Sequence, residues 1–370
     1  MDKIKAVIKN ITGIDYVVME KTQKRLNALT KPQGSLGRLE ELAKLITGIT
    51  GKENPSLQKK VIFTFAGDHG VTDEGVSAYP KEVTAQMVYN FLNGGAAINV
   101  LAKHIGAKVI VADLGVVGEI QNISTECIKP CFDGEPAVKT RTIEFKQKKI
   151  GFGTKNMAEG PAMTKDEAVK SIEAGIEIFE EEFKNGISIT GIGEMGIGNT
   201  TAASALASVF TKSEVSDVTG RGTGIDDNRL ENKIRVIKES IKINKPDSCD
   251  AIDVLSKVGG FEIGGLAGVI LASASKKIPV VIDGFISSAA ALIAFCIEPK
   301  IRDYMIASHC SVEKGHKIIL KHLGLKPVLD LDMRLGEGTG AALGINIADA
   351  SIKILTEMAT FESAHVSKKE

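Results

Sequence analysis

One stretch organises the chain: Ile187-Ser-Ile-Thr-Gly-Ile-Gly-Glu-Met-Gly-Ile-Gly-Asn-Thr-Thr-Ala-Ala-Ser-Ala-Leu-Ala207. Its first four residues are mostly β-branched and apolar, which predicts a short buried strand. A glycine loop follows, and its bare backbone lets a ligand approach the N–H groups closely. Asn199 or Thr200 can cap the alanine-rich helix after the loop. Because unpaired amides and the helix dipole both attract an anion, this unit favours a bound phosphate.

The same stretch contains a partial dinucleotide-binding pattern, with glycines at Gly191, Gly193 and Gly196. A dinucleotide fold also needs a second strand that carries an acidic residue about 20 positions further on. Residues 211–224 are polar and glycine-rich, so they predict no such strand. A nucleotide-binding oxidoreductase is therefore a poorly supported alternative. A noncatalytic nucleotide-binding protein is a second alternative, since the phosphate loop alone does not require catalysis.

Composition excludes several classes of protein. The 370 residues carry 46 basic and 46 acidic side chains, and this balance argues against a broad nucleic-acid surface. No apolar run reaches the length of a membrane span, and the first residues lack a signal-peptide pattern, so we expect a cytoplasmic protein without a membrane partner. The five cysteines are too few for a disulfide framework in so long a chain. Cys127 and Cys131 lack the second pair of a zinc site, and we interpret all five as packing residues.

Short apolar runs alternate with helical patterns along most of the chain, and about six strands are expected. This alternation predicts an α/β fold with a Rossmann-like, mostly parallel sheet and helices on both faces. The helices of residues 1–60 and the last helix have no strand partners. We therefore expect a large domain over 61–340 and a small helical domain made of 1–60 and 341–370. Residues 117–150 show a mixed pattern that predicts no single element.

Local signals predict where several helices begin. Asp15 can start the first long helix, and Ser35 can cap the next one. Thr164 and Glu167 form a capping-box pattern that opens a helix to about Lys184. The segment 31–38, which includes a lysine and two glycines, is interpreted as a turn into a helix rather than as catalytic machinery.

Two glutamates share one sequence plan, Gly193-Glu194 and Gly336-Glu337, each before an Ala/Gly-rich helix. A carboxyl group in a dry apolar pocket has a raised pKa and becomes a usable base near neutrality. The alternative is that each glutamate caps backbone N–H groups at its helix start. We favour a functional role, because both would lie after strands, at the sheet edge where open α/β sheets bind ligands.

Other chemistries are less well supported. Asp68 and His69 lack a nucleophilic serine in a suitable context, and a buried, hydrogen-bonded His69 is expected instead. His309 and His316, with Glu313 between them, leave metal ligation as a minor alternative. A phosphate loop with a carboxylate base, without metal or nucleophile, suits transfer of a phosphorylated sugar. A pyridinium nucleotide is a fitting donor, because its leaving group departs neutral and needs no general acid.

Seven motifs recur together in a known family. The chain resembles nicotinate-nucleotide–dimethylbenzimidazole phosphoribosyltransferases, which make the lower nucleotide of cobalamin, over nearly its whole length. The resemblance rests on Lys31-Pro-Gln-Gly-Ser-Leu-Gly-Arg-Leu39, Phe65-Ala-Gly-Asp-His-Gly-Val71, Val76-Ser-Ala-Tyr-Pro80, Gly193-Glu-Met-Gly-Ile-Gly-Asn-Thr-Thr201, Thr219-Gly-Arg-Gly-Thr-Gly224, Val281-Ile-Asp-Gly-Phe285 and Asp332-Met-Arg-Leu-Gly-Glu-Gly-Thr-Gly340.

The resemblance implies a homodimer that works without metal or cofactor. The implied reaction moves phosphoribosyl from nicotinate mononucleotide to 5,6-dimethylbenzimidazole or a related azole base. It yields nicotinate and α-ribazole 5'-phosphate. Glu337 matches the catalytic base and Glu194 the second carboxylate at the reaction centre. The phosphate and ribose are assigned to Gly196, Ile197, Gly198, Asn199, Thr200, Gly222 and Lys233, and the aromatic base to Ser77, Tyr79, Gln86, Met195 and Leu335.

Overall fold

A computed structural model describes residues 1–120 and 143–367, so the pair Cys127 and Cys131 and most of the segment 117–150 lie outside the described residues. Six strands form one sheet in which every pair of neighbours is parallel. They are β1 (Lys60–Gly67), β2 (Lys108–Gly115), β3 (Ile143–Gln147), β4 (Ile189–Met195), β5 (Val280–Ile282) and β6 (Met305–Ala307). The order β3-β2-β1-β4-β5-β6 is that of the Rossmann fold, which confirms the predicted fold class.

Fourteen α-helices belong to the described residues. Those before β4 are α1 (Asp2–Ile8), α2 (Tyr16–Ala28), α3 (Arg38–Thr50), α4 (Glu82–Leu92), α5 (Ala97–Ile105) and α6 (Lys165–Phe183). Those after β4 are α7 (Asn199–Thr211), α8 (Val215–Val218), α9 (Asp227–Asn244), α10 (Ala251–Val258), α11 (Phe261–Ser275), α12 (Phe285–Ile297), α13 (Lys314–Leu323) and α14 (Thr339–Glu357). None of the helices in these ranges is long and apolar enough to cross a membrane.

The sheet separates two hydrophobic cores because successive side chains of a strand point to opposite faces. In β1, Phe63 and Phe65 join one core, whereas Ile62 and Ala66 join the other. Helices α6, α11 and α12 form the layer on the first face, while α4, α5 and α14 pack on the second. Burial on both faces explains why these strands are nearly continuous apolar runs.

The two ends of the chain meet. Helices α2 and α3 pack on each other and on α14, and a bridge pairs Leu29 with Thr360. Helix α1 packs instead against α6 and α11, on the opposite face of the sheet. Helix α14 contacts β4 and β5 as well as α3. The division into domains at residues 60 and 340 stays a prediction.

The helix starts follow local chemistry in two of three cases. Asp15 caps α2 by accepting a hydrogen bond from Val18 N, and Thr164 forms a capping box with Glu167 as predicted. The predicted cap at Ser35 is wrong, because two turns through residues 32–37 delay the helix until Arg38. Just before these turns, Lys31 forms a buried ion pair with Glu40 at 2.7 Å, which is a structural role.

Candidate active site

The candidate site lies where the strand order reverses direction. From the central pair β1 and β4, the chain builds outward to β3 on one side and to β6 on the other. Ligands of open α/β sheets bind in the crevice at the carboxyl ends of the strands at such a point. Asp68 and His69 follow β1 here, Glu194 lies near the end of β4, and Asp283 follows β5. The predicted polar residues therefore converge at one edge of the sheet.

Strand β4 is longer than predicted. It continues to Met195, so Gly191, Gly193 and Glu194 belong to the strand and the prediction that they form a loop is wrong. Gly193 and Glu194 are paired with β1, which keeps them extended. The glycine admits a neighbouring backbone rather than a ligand, because a Cβ at Gly193 would lie 2.2 Å from Gly338 N. The segment before α14 is thereby packed directly on β4.

The turn between β4 and α7 consists of Gly196, Ile197 and Gly198. A Cβ at Gly196 would lie 2.3 Å from the Gly67 carbonyl oxygen, and Gly198 has φ 93°, so both positions favour glycine. Ile197 N donates to Thr84 Oγ1 of α4 at 3.1 Å, which fixes the turn. The first turn of α7 follows directly, and the positive end of its helix dipole suits an anion.

The predicted helix cap is also wrong. Gly198 is the N-cap of α7, and neither Asn199 nor Thr200 caps it with its side chain. The Asn199 amide instead donates to Glu194 Oε2. Thr200 Oγ1 accepts a hydrogen bond from Lys233 Nζ at 2.7 Å.

Lys233 reaches this turn from α9. Its side chain is buried, and burial lowers the pKa of its ammonium group to about 8. Gly222, with φ 50°, lies beside Lys233 and Thr200, since a Cβ there would be 3.3 Å from Nζ and 2.8 Å from Oγ1. Glu313, which sequence reasoning missed as part of the site, accepts from Gly222 N at 3.1 Å. The structure thus joins a cation, a hydroxyl and a helix N-terminus, which is a suitable arrangement for a phosphate.

Glu337 lies just before α14 in a left-handed conformation, with φ 65°. Its backbone N–H donates to the Glu194 carbonyl at 3.2 Å, and its own carbonyl accepts from Thr64 Oγ1 at 2.9 Å. Its Oε2 accepts from Ile98 N, in the first turn of α5, at 3.2 Å. Burial raises the pKa of the Glu337 carboxyl group, while the Ile98 amide opposes that shift. The sequence could not predict this role of Ile98, because the group that binds Glu337 is a backbone amide and not a side chain.

Glu194 is the more strongly perturbed of the two glutamates. Burial, followed by the negative charges of Asp283, Glu262 and Glu337, raises its pKa to about 8, although the Asn199 hydrogen bond opposes this. A Cβ at Gly336 would lie 2.3 Å from Glu194 Oε1, so the carboxyl group of Glu194 touches the backbone next to Glu337. The structure brings the two predicted glutamates side by side; their catalytic roles stay predictions.

His69 and Glu262 form a buried pair behind the glycine turn, with His69 Nε2 and Glu262 Oε1 2.7 Å apart. Burial alone would lower the pKa of His69, but the Glu262 carboxylate outweighs it and raises that pKa. The expected buried, hydrogen-bonded His69 is confirmed. Glu262 was not anticipated, since the two residues are 193 positions apart in the chain.

The two other candidate histidines serve the fold beside the site. The rings of His309 and His316 lie 5.9 Å apart, and burial lowers the pKa of both, that of His316 to about 3. His316 lies between Ser311 N and Ser288 Oγ, and the Glu313 carboxyl group turns away toward Gly222. Over residues 1–120 and 143–367 no group of three or more histidine, cysteine or acidic side chains is placed to hold a metal ion.

The five residues predicted to bind the aromatic base belong to four separate segments of the chain. Met195 is half-buried next to Glu194, and Leu335, two residues before Glu337, is 58% exposed. Ser77 Oγ lies 3.3 Å from Thr223 Oγ1, next to Gly222, and Tyr79 is exposed two residues after Ser77. Gln86 lies exposed on α4, the helix that also holds Ile197 through Thr84. Exposed apolar side chains next to buried acids are typical of a binding site.

A groove of about 750 Å³ opens nearby, on the far side of Gly70. It is lined by the segments 154–156 and 159–165 and by part of α10, and it does not include the paired glutamates. Its residues Lys165 and Lys257 both form ion pairs with Asp253. Two of the three lysines that line the groove are therefore already paired. The crevice at the strand ends holds a buried lysine beside a helix N-terminus, which makes it the better candidate for an anionic substrate.

The Rossmann-like sheet and the lysine–glutamate site together define an α/β enzyme that handles a phosphorylated substrate. Residues 11–366 match a family model described as phosphoribosyltransferase. The nicotinate-nucleotide–dimethylbenzimidazole phosphoribosyltransferase of Geobacter sulfurreducens is 51% identical over 368 residues, covering 100% of this chain and 99% of the relative. The enzyme of that name from Desulforamulus reducens is 52% identical over 369 residues, covering 100% of both.

A solved structure agrees with these relatives. The crystal structure of the same enzyme from Thermus thermophilus superimposes with a TM-score of 0.86 at 39% identity, covering 96% of this chain and 100% of that one. The chain belongs to the family of nicotinate-nucleotide–dimethylbenzimidazole phosphoribosyltransferases.

Proposed function

We propose that this protein transfers phosphoribosyl from nicotinate mononucleotide to 5,6-dimethylbenzimidazole or a related azole, yielding nicotinate and α-ribazole 5'-phosphate for the lower ligand of cobalamin. The names of its relatives support these substrates. The observation that carries the proposal is the hydrogen bond from Glu337 N to the Glu194 carbonyl, which sets two buried acids side by side at the crevice. We further propose that the protein acts as a cytoplasmic homodimer.

The donor is anchored by its phosphate at the first turn of α7. Gly196 and Gly198 leave the backbone of this turn bare, with Ile197 between them, Asn199 next to them, and Thr200 and Lys233 at the side. Binding an anion raises the pKa of Lys233 from about 8, because an opposite charge favours the ammonium form. The phosphate thereby places the ribose near the two glutamates, and such positioning lowers the barrier for a reaction between two bound molecules.

The surroundings of the two carboxyl groups support Glu337 as the base. Glu194, with a pKa of about 8, holds a proton at neutral pH before substrate binds. Glu337 keeps an amide hydrogen bond from Ile98 at the N-terminus of α5, which favours its ionised form. We therefore propose that Glu337, which accepts this hydrogen bond and matches the catalytic base implied by the family resemblance, accepts the proton from the azole.

The reaction balances without a general acid. The bond between C1' and the pyridinium nitrogen breaks, and its electron pair returns to the ring, so nicotinate leaves with a neutral nitrogen. The unprotonated nitrogen of the azole bonds to C1' from the opposite face. The proton on the other azole nitrogen passes to Glu337. When the cationic pyridinium donor binds, its charge favours the ionised form of Glu194, which loses its proton to solvent. The resulting carboxylate then stabilises the sugar carbon as it becomes cationic.

The apolar side chains at the mouth suit the flat acceptor. Met195 and Leu335 are close to the two glutamates in sequence, Ser77 contacts Thr223 beside Gly222, and Tyr79 and Gln86 are exposed. We propose that they sandwich the aromatic ring and exclude water from the carboxyl groups. Excluding water strengthens each electrostatic interaction within the site.

The test is release of nicotinate, measured by chromatography, from nicotinate mononucleotide and 5,6-dimethylbenzimidazole. Glu337→Gln keeps the size of the side chain but cannot accept the proton, and we expect kcat to fall about 10²–10⁴-fold. Glu357→Gln, an exposed site on α14, is the matched control and should keep the wild-type rate. Near wild-type turnover by Glu337→Gln would overturn the base assignment, and no nicotinate release by the wild type would overturn the proposed function.

A further inference from the structure

Asp283 is a buried acid whose three side-chain hydrogen bonds lead to the residues that follow Glu337. It follows β5, and its side chain is 1% exposed. Its Oδ1 accepts hydrogen bonds from Gly340 N at 2.7 Å and Ala341 N at 3.1 Å. Its Oδ2 accepts from Gly338 N at 3.1 Å. One carboxylate thus binds three amides within four residues after Glu337.

The packing leaves these amides little freedom to move. A Cβ at Gly340 would lie 2.0 Å from His309 Nδ1 and 2.7 Å from Asp283 Oδ1, so the carboxylate contacts bare backbone. Asp283 binds the N–H of Gly338, the residue next to Glu337, and Glu337 itself has φ 65°. A left-handed conformation is unfavourable for a residue with a side chain and persists only where its surroundings impose it.

We propose that Asp283 is a positioning residue that holds Glu337 in its left-handed conformation and so aims the catalytic carboxylate at the acceptor. The proposal rests on the proposed function of Glu337 as the base. Three anchors then surround Glu337: Asp283 on the next residue, Thr64 on its carbonyl and the Glu194 carbonyl on its N–H. Burial raises the pKa of Asp283 to about 7, but the three backbone N–H groups that donate to its oxygens favour the ionised form. In that form its hydrogen bonds are charge-assisted, which is the stronger kind.

Asp283→Asn separates this role from simple helix capping. An asparagine has one acceptor oxygen, which can stay on Gly340 N and Ala341 N and still cap α14. Its NH₂ group then faces the Gly338 N–H, a donor against a donor. The substitution therefore releases the amide adjacent to Glu337 while it leaves the helix start bonded.

We expect kcat for nicotinate release to fall about 10²-fold in Asp283→Asn, the effect of misplacing a reacting group by about 1 Å. KM for nicotinate mononucleotide should stay within about 3-fold, because the phosphate site on α7 does not include Asp283. Hydrogen exchange of the peptide that spans 336–341 should speed up. The control is Asp250→Asn, since Asp250 caps α10 through Ile252 N and Asp253 N far from the glutamates, and kcat should not change there.

Equal kcat in Asp283→Asn and the wild type would overturn the proposal, and so would a rise in KM with unchanged kcat. If the wild type releases no nicotinate, the proposed function fails. Hydrogen exchange still tests whether Asp283 holds the backbone after Glu337. Faster exchange at 336–341 in Asp283→Asn but not in Asp250→Asn supports it, and unchanged exchange refutes it.

Discussion

Gly193→Ala tests whether the contact between β4 and the Glu337 segment controls catalysis. A Cβ at this position would lie 2.2 Å from Gly338 N, 2.3 Å from the Glu337 carbonyl carbon and 2.4 Å from its oxygen. All three atoms belong to the backbone, so no flexible side chain can give way. Since ordinary contacts of this kind are about 3.5 Å, the segment must move by about 1 Å.

That displacement has two measurable consequences. Moving a catalytic group by about 1 Å costs about 10²-fold in rate, and forcing a methyl group into a packed interior costs about 1–3 kcal/mol of stability. We therefore expect kcat for nicotinate release to fall about 10²-fold in Gly193→Ala, with a modest fall in melting temperature. Steady-state kinetics and thermal unfolding followed by circular dichroism give both quantities.

Gly191→Ala is the matched control, two residues earlier on the same face of β4. A Cβ there would meet only side chains, the nearest being Ile345 Cδ1 at 3.0 Å. It should lower the melting temperature slightly and leave kcat near the wild-type value. If Gly193→Ala turned over within about 3-fold of the wild type, the idea that this glycine positions Glu337 would be refuted.

Two further predictions concern buried charges. Glu194 has a folded-state pKa of about 8 against an ordinary value of 4.5, so the folded state binds its proton more tightly. The proton bound by Glu194 therefore adds to the free energy of unfolding. This contribution is fully present below about pH 4.5 and is lost as the pH rises toward 8. Glu194→Gln should therefore be more stable than the wild type at pH 8 and yet slower; melts at pH 5 and pH 8 that show no such difference would contradict this. Lys31→Met leaves Glu40 buried without its cation and should cost about 3–5 kcal/mol in urea unfolding, most of it recovered in the double variant Lys31→Met/Glu40→Leu. An unchanged unfolding midpoint in the single variant would show that the pair contributes nothing.

Much of the fold was predictable because it depends on short-range patterns. The apolar runs of β1 and β2 and the capping box at Thr164 each depend on fewer than ten consecutive residues. The shared glycine–glutamate pattern also pointed to Glu194 and Glu337 before any coordinates. These signals survive because local propensity and the tertiary structure agree at those positions.

The errors fall where the tertiary structure overrides a local preference. Glycines normally weaken a strand, yet Gly191 and Gly193 extend β4 because β1 pairs with them and another backbone needs the space. Asn199 is a good capping residue, but a buried carboxylate competes for its amide. Secondary-structure propensity depends on residues that are close in sequence. The groups that override it here are set by how the folded chain packs in space.

The chain by itself determined the alternation of strands and helices, the acids at the strand ends and the family resemblance. Only the tertiary structure decided which distant groups form hydrogen bonds with these acids and with His69. Ile98 N binds Glu337 although 239 positions separate them in the chain, and Glu262 binds His69 over a separation of 193. Asp283 binds the amides after Glu337 over separations of 55 to 58 positions. The physical reason is that backbone amides look alike in every sequence. Their direction, and the burial that shifts a carboxyl pKa, exist only once the strands have brought distant segments to one edge of the sheet.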